Sequence, residues 1–315
     1  MRNRTFTALM FAVALALIAA TLLVKNEFYF QAAYTVLQFV VLATAWNILG
    51  GYTGYVNFGT AAFFAIGAYT TVVLYNAIKA PLALSIVAGT VVAGLAGLGV
   101  GYLTLRLRGV FFAIATLALS VVLYTFVVNW DYVGGARGAY VLAPREVPFG
   151  FERYTHLLYA AMVLMAAAAL AVARAVETSR LGRGLAAIRD DELAAEASGV
   201  PTLRLKLVST TLSGALMGMA GTTFPCYLSF VEPSSAFSLN YAVNSIAMPL
   251  IGGMMSWLGP LIGALLLGTV QQVVQVSVRS EWNLLIVGAL LVVFVTLAPN
   301  GIMGWVSAWR RRRRA

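Results

Sequence analysis

Long apolar runs, each about the length of a membrane-crossing helix, alternate with short polar interruptions from one end of the chain to the other. A helix needs about 20 apolar residues to span about 30 Å of hydrocarbon. Ten runs fit that length, at residues 6–24, 31–50, 56–78, 82–105, 110–129, 155–175, 205–224, 241–255, 257–276 and 283–299. The eighth and ninth nearly touch on either side of Ser256 and read equally as one broken element. Alternating strands of about 10 residues, the mark of an outer-membrane barrel, are not seen. The expected fold is an all-α polytopic membrane protein of about ten helices, with residues 1–315 as one transmembrane domain.

Composition agrees: 61% of residues are hydrophobic and 10% charged, against roughly 25% charged in soluble domains. The net charge of +10 is placed as an orientation signal, since basic residues sit at the ends of apolar runs. An N-terminus inside puts 15 of the 21 Lys and Arg in the cytoplasm, and Lys25, Lys79, Arg137, Arg145, Arg153 and Arg279 outside. Both termini are therefore expected in the cytoplasm. Arg310–Arg314 reads as an anchor for anionic lipid headgroups and not as a nucleic-acid site. The first apolar run follows Arg2 and Arg4 like a secretory signal, but its length and the lack of a small-residue cleavage site favour a retained helix. A single cysteine and a single histidine leave no basis for a disulfide framework or a transition-metal site. Cys226 is expected to be a small packed hydrophobe, and His156 to sit solvated at a span boundary.

No Asp, Glu, Lys or Arg falls in the middle of any run. Ion-coupled carriers place ionisable groups there despite the cost, so the chain carries no ionic engine of its own. That disfavours a stand-alone carrier or channel, and an embedded enzyme lacks any cluster of His, Asp or Glu at bilayer depth. No Walker A motif is present. Small residues repeat at every fourth position in Gly89, Ala93, Gly97 and Gly101, again in Gly214 and Gly218, and in Gly259 and Gly263. Such faces predict close helix packing within the bundle, with dimer contact as the alternative.

Three polar intervals interrupt the hydrocarbon. The first, residues 46–69, holds five glycines with Asn47, Thr53, Asn57 and Thr60. It reads either as unwound backbone lining a wet cavity, with Gly54 in the turn, or as a short glycine-capped cytoplasmic turn. The second, residues 249–268, carries Pro249 and Pro260 and follows Asn244, a lone amide suited to interhelical hydrogen bonding or, less readily, to solute contact. The third is the polar stretch 178–206. There Asp190 or Asp191 can cap a short helix with Glu192 in its first turn, Gly199 suits the C′ position, and Pro201 stops the helix. It has the form of a rigid lever between two spans. Outside, residues 130–154 form the longest external loop.

These blocks carry a resemblance. RGLAAIRDDELAAEASGVPTLRLKL is similar to the cytoplasmic coupling loop of permease subunits of branched-chain amino acid ABC importers. The likeness extends to AWNILGGYTGYVNFGTAAFFAIGAYT, to LRLRGVFFAIATLALS with NWDYVGGARG, and to LIGGMMSWLGPLIGALLL. It implies a type II importer fold with residues 177–204 as the coupling loop. It also implies a second, homologous permease subunit, two ATPase subunits that bind ATP and Mg, and a periplasmic solute-binding protein at the bacterial inner membrane. This chain itself would bind no cofactor and hydrolyse nothing. Arg189, Asp190, Asp191, Glu192, Ala195, Glu196 and Gly199 would meet the ATPase. Asn47, Thr53, Gly54, Asn57, Thr60 and Asn244 would border the solute pathway. Two departures, Asn57-Phe58-Gly59-Thr60 and Ala136-Arg137-Gly138, leave the solute open among branched-chain amino acids, other amino acids, urea and short amides.

Overall fold

The computed structural model describes residues 3–23, 26–104, 107, 109–142, 151, 153–277, 285, 288–289, 292, 296 and 301–305. Long helices dominate: α1 (Asn3–Leu23), α2 (Glu27–Thr53), α3 (Thr60–Ile78), α4 (Leu82–Thr104), α5 (Val110–Val128) and α6 (Tyr154–Thr178). Two shorter ones, α7 (Arg180–Asp190) and α8 (Glu192–Ala197), precede α9 (Thr202–Thr222). After the short α10 (Phe224–Leu228) and α11 (Pro233–Ala236) come α12 (Leu239–Gly252) and α13 (Leu258–Ser277). Among the described residues, six helices (α2, α3, α4, α5, α6 and α13) are long and apolar enough to cross a membrane. Helix α1 contains a shorter apolar stretch, Ala8–Thr21. The run expected at 283–299 lies almost wholly outside the described residues.

Helix α2 forms the axis, with nearly every residue from Phe39 to Thr53 buried. Helices α4 and α5 lie at the margin, with Leu95, Leu103, Phe111 and Val122 exposed, as suits lipid-facing surfaces. The glycine faces are packing surfaces inside the bundle. A Cβ on Gly67 would stand 1.9 Å from the Gly218 carbonyl oxygen, and one on Gly97 2.9 Å from that of Thr210. Small residues thus let α3, α4 and α9 touch backbone to backbone, where burial alone supplies no attraction in lipid. Helix α3 runs in step beside α9, with Phe63 against Gly214, Gly67 against Gly218, and the Thr71 hydroxyl donating to Thr222 O at 2.8 Å.

The described part of the loop after α5, up to residue 142, is more ordered than a plain connection. Two 3-10 turns, Asp131–Val133 and Gly135–Arg137, lead into β1 (Ala139–Tyr140). That strand pairs antiparallel with β2 (Phe230–Val231), Ala139 opposite Val231. At this same end Asn76 Nδ2 donates to Tyr132 O at 3.1 Å, while α7 and α8 occupy the opposite end. His156 is not solvated: it is 5% exposed with its ring edge-on to Phe30 at 4.6 Å. The first turn of α6 packs against α2 there, so the interfacial position expected from its place in the run is overridden by tertiary contact. Cys226 is buried, in keeping with its reading as a packed hydrophobe.

Candidate functional site: a polar lever on two helix breaks

The polar stretch folds as two helices. Ser179 caps α7 by accepting from Gly182 N, and the apolar side of α7 buries Leu185 and Ile188. Asp191 is the N-cap of α8, its carboxylate accepting from Ala194 N at 3.0 Å. The C-terminus closes as a Schellman motif: Gly199 N donates to Glu196 O at 2.9 Å and Val200 N to Ala195 O at 3.0 Å. Gly199 has φ +82 with open space around it, a conformation that glycine adopts without the Cβ clash. Asp190, Asp191, Glu196 and Gly199 are exposed, as is the apolar side chain of Leu193, whereas Ala195 is buried against the body. Glu196 accepts from the Thr202 hydroxyl at 2.6 Å, fastening α8 to the start of α9.

Glu192 turns inward, where Lys206 Nζ donates to its carboxylate at 2.7 Å. The two side chains are only 13% and 3% exposed. Tyr55 donates its hydroxyl to the other carboxylate oxygen, and Lys206 Nζ also donates to the Tyr55 oxygen at 3.3 Å. A buried ammonium and carboxylate are tolerable only when paired and hydrogen-bonded, and Tyr55 bonds to both. This triad joins the lever, α9 and the segment between α2 and α3.

That segment, residues 54–59, is non-helical and climbs alongside the first turns of α9. Its polar groups are met within the chain. Trp46 Nε1 donates to Asn57 O at 2.8 Å, and Gly59 N to Asn57 Oδ1 at 2.7 Å. Phe58 N donates to Thr116 Oγ1 at 3.1 Å, and Tyr55 N to Thr53 Oγ1 at 3.3 Å. Backbone freed from a helix at membrane depth requires such partners. Thr60 Oγ1 and Asn47 Oδ1 are buried without one among the described residues. Gly54 has φ +77 and lies under the lever, where a Cβ would meet Arg189 Cγ at 3.3 Å.

The second break, between α12 and α13, is held at the same end of the bundle. Asn47 Nδ2 donates to Met254 O at 3.1 Å, and Arg189 Nη1 reaches Met255 Sδ. Glu177, at the end of α6, accepts from Trp257 N at 2.6 Å and from the Tyr52 hydroxyl at 3.3 Å. The Arg174 guanidinium stands 3.8 Å over Phe6, whose ring meets Trp257 edge-on at 5.1 Å. Gly301 also approaches this break, so closely that a Cβ there would lie 2.4 Å from Gly253 N. The lever therefore touches both breaks through one residue, Arg189. Asn47, Thr53, Gly54, Asn57 and Thr60 gather beneath it; Asn244 does not.

Asn244 lies in the other half of α12 and accepts from Gln271 Nε2 at 2.7 Å while its own amide donates to Asn240 O at 3.0 Å. The pair borders a half-open cavity of about 600 Å3. Glu177, Tyr52, Tyr55 and Lys206 were missed by sequence reasoning. The one available signal was a charge, Lys206, inside the otherwise apolar start of a span.

A family model described as the branched-chain amino acid transport system / permease component matches residues 28–295. The high-affinity branched-chain amino acid transport system permease protein LivM of Salmonella typhimurium is 27% identical over 289 residues, covering 84% of this chain and 67% of that protein. LivH of Escherichia coli, of the same description, is 26% identical over 137 residues, 44% of each chain. A probable branched-chain amino acid transport permease protein LivH of Methanocaldococcus jannaschii is 24% identical over 294 residues, 87% of this chain and 90% of that one. No solved structure matches. With its apolar helices, its broken segments and a match over most of its length, the chain is a multi-pass membrane protein of the branched-chain amino acid transport system permease family.

Proposed function

We propose that this chain is the translocation subunit of an ATP-driven ABC importer for branched-chain or related amino acids at the bacterial inner membrane. A second, homologous permease subunit would pair with it; likeness to both LivM and LivH supports that arrangement. Two ATPase subunits carrying ATP and Mg would grip the lever, and a periplasmic solute-binding protein would deliver cargo at the opposite end. The chain itself does no chemistry.

The observation that carries this reading is the attachment of α7 and α8 to both helix breaks. A partner that pulls on the exposed groups of α8 pulls through Arg189 on the 54–59 segment and on the α12–α13 break together. The Glu192–Lys206–Tyr55 triad adds a third fastening. Hinges at broken helices with a rigid element attached are a standard means of opening and closing a path.

Reconstitution tests it. The complete complex in liposomes is expected to accumulate leucine only when ATP is inside the compartment that holds the ATPases. Gly199→Ala, with Cβ strain at φ +82 and no clash, is expected to keep the membrane fold and lower uptake per ATP hydrolysed. Uphill uptake without nucleotide, or unchanged coupling in the variant, refutes the reading.

A further inference from the structure

The cavity beside Asn244 and Gln271 is chemically unlike the rest of the bundle. It lies toward the end away from the lever: Gln38, on its wall, is about 22 Å of helix from Thr53. Amides from three helices meet there, among them Gln38, Asn240, Asn244 and Gln271, with Gln275 at the exposed rim. Phe39, Phe224, Tyr227 and Tyr241 supply an aromatic wall. No Asp, Glu, Lys, Arg or His is among the described residues that line it.

Polar amides at membrane depth normally satisfy one another across helices. Here only part of that capacity is used. Gln271 spends its amide N–H on Asn244, and Asn244 its own on Asn240 O; no described donor serves the Gln271 carbonyl oxygen. Gln38 makes two long contacts, 3.4 Å each, to Tyr34 and to Ala220 O.

We propose that this cavity is a binding station for an α-amino acid with an uncharged side chain. The proposal rests on the permease reading above. A zwitterion presents an ammonium that needs acceptors beside a carboxylate that needs donors, and side-chain amides supply both. A fixed charge in the wall would hold one end of the zwitterion and repel the other. Without one, neither end is trapped, which suits a site that must release what it takes. A solute with net charge finds no counter-ion here and is left with uncompensated desolvation. The aromatic wall takes an aliphatic side chain, and about 600 Å3 is ample for such a molecule.

The test uses the complete complex carrying Gln275→Cys, with the thiol placed at the exposed edge of the cavity. Native Cys226 is buried and gives little background. The rate of modification by a small methanethiosulfonate reagent is measured with leucine, lysine, glutamate or urea present at equal concentration. Leucine is expected to slow modification about twofold at half occupancy, and lysine and glutamate to leave it unchanged. Gln271→Glu, nearly isosteric, is expected to transfer protection from leucine to lysine. Absence of leucine protection, equal protection by a charged amino acid, protection by urea in place of leucine, or an unaltered ranking in Gln271→Glu each overturns the proposal. ATP-dependent leucine uptake by the parent complex, without the substitution, keeps the two readings apart: uptake by the parent without protection in the variant refutes the cavity alone, and absence of uptake by the parent refutes the permease reading.

Discussion

Lys206→Met removes the ammonium that faces Glu192 while keeping the stem that packs around Tyr55. At the observed 2.7 Å the gross attraction between unit charges is about 6 kcal/mol at an effective dielectric of 20. Desolvation of two side chains exposed by only 3% and 13% opposes most of it, so the pair contributes little net stability. Breaking it is another matter, because the carboxylate then stays buried against Tyr55 after losing the ammonium 2.7 Å away, at a cost of about 3–5 kcal/mol. Glu192→Gln does the converse and leaves a buried ammonium that has lost this carboxylate. At roughly 2 °C per kcal/mol for a chain of this size, each single variant is expected to melt about 6–10 °C below the parent. The double variant should recover most of that loss, since neither charge remains. The melt can be followed in detergent with a fluorogenic maleimide, because the buried Cys226 thiol reacts only as the bundle opens. Single variants within 1 °C of the parent, or a double variant no better than the sum of the singles, would refute the account of the triad.

Glu177→Leu deletes the acceptor shared by Trp257 N and the Tyr52 hydroxyl. It should cost about 1–3 kcal/mol and speed proteolysis at residues 253–257, while Glu177→Gln, which keeps one acceptor oxygen, should cost less; equal cleavage in all three proteins would count against the latch. Gly67→Ala places a Cβ 1.9 Å from the Gly218 carbonyl oxygen and should cost at least about 1–3 kcal/mol, whereas Gly99→Ala, with open space around it, should melt like the parent. Matching melts for these two alanines would show that α3 and α9 are not in backbone contact.

What could be read from the chain was local. Span lengths from residue 82 to 129 follow hydropathy closely, because a lipid-facing helix is specified by composition alone. A cap at Asp190 or Asp191, of which the structure uses Asp191, the Gly199 turn and the stop at Pro201 were legible for the same reason, since each is a backbone requirement met within a few residues. Helix α7 was not separated from α8, because its amphipathic face, Leu185 and Ile188, has meaning only once a body exists to receive it. Glu192 was read as a dipole partner on the lever surface, and its turn inward depends on Lys206 and Tyr55, the latter 137 positions away. The Glu177 latch, the pairing of β1 with β2 and the burial of His156 are likewise long-range. Periodicity carries no record of which helix will stand beside which. The amide cavity was foreshadowed only by Asn244, since Gln271 becomes its partner only once α12 and α13 stand side by side.

Backbone contact among α3, α4 and α9 has a mechanical corollary. Where side chains interdigitate, one helix can creep past its neighbour by exchanging rotamers. With Gly67 against Gly218 and Gly97 against Thr210 there are no rotamers to exchange, and axial slippage would drive a carbonyl into an α-carbon. The trio behaves as a keyed shaft, free to tilt as a unit and barred from sliding. Because α9 begins just past the Gly199 turn, torque applied at that turn reaches all three rods without backlash.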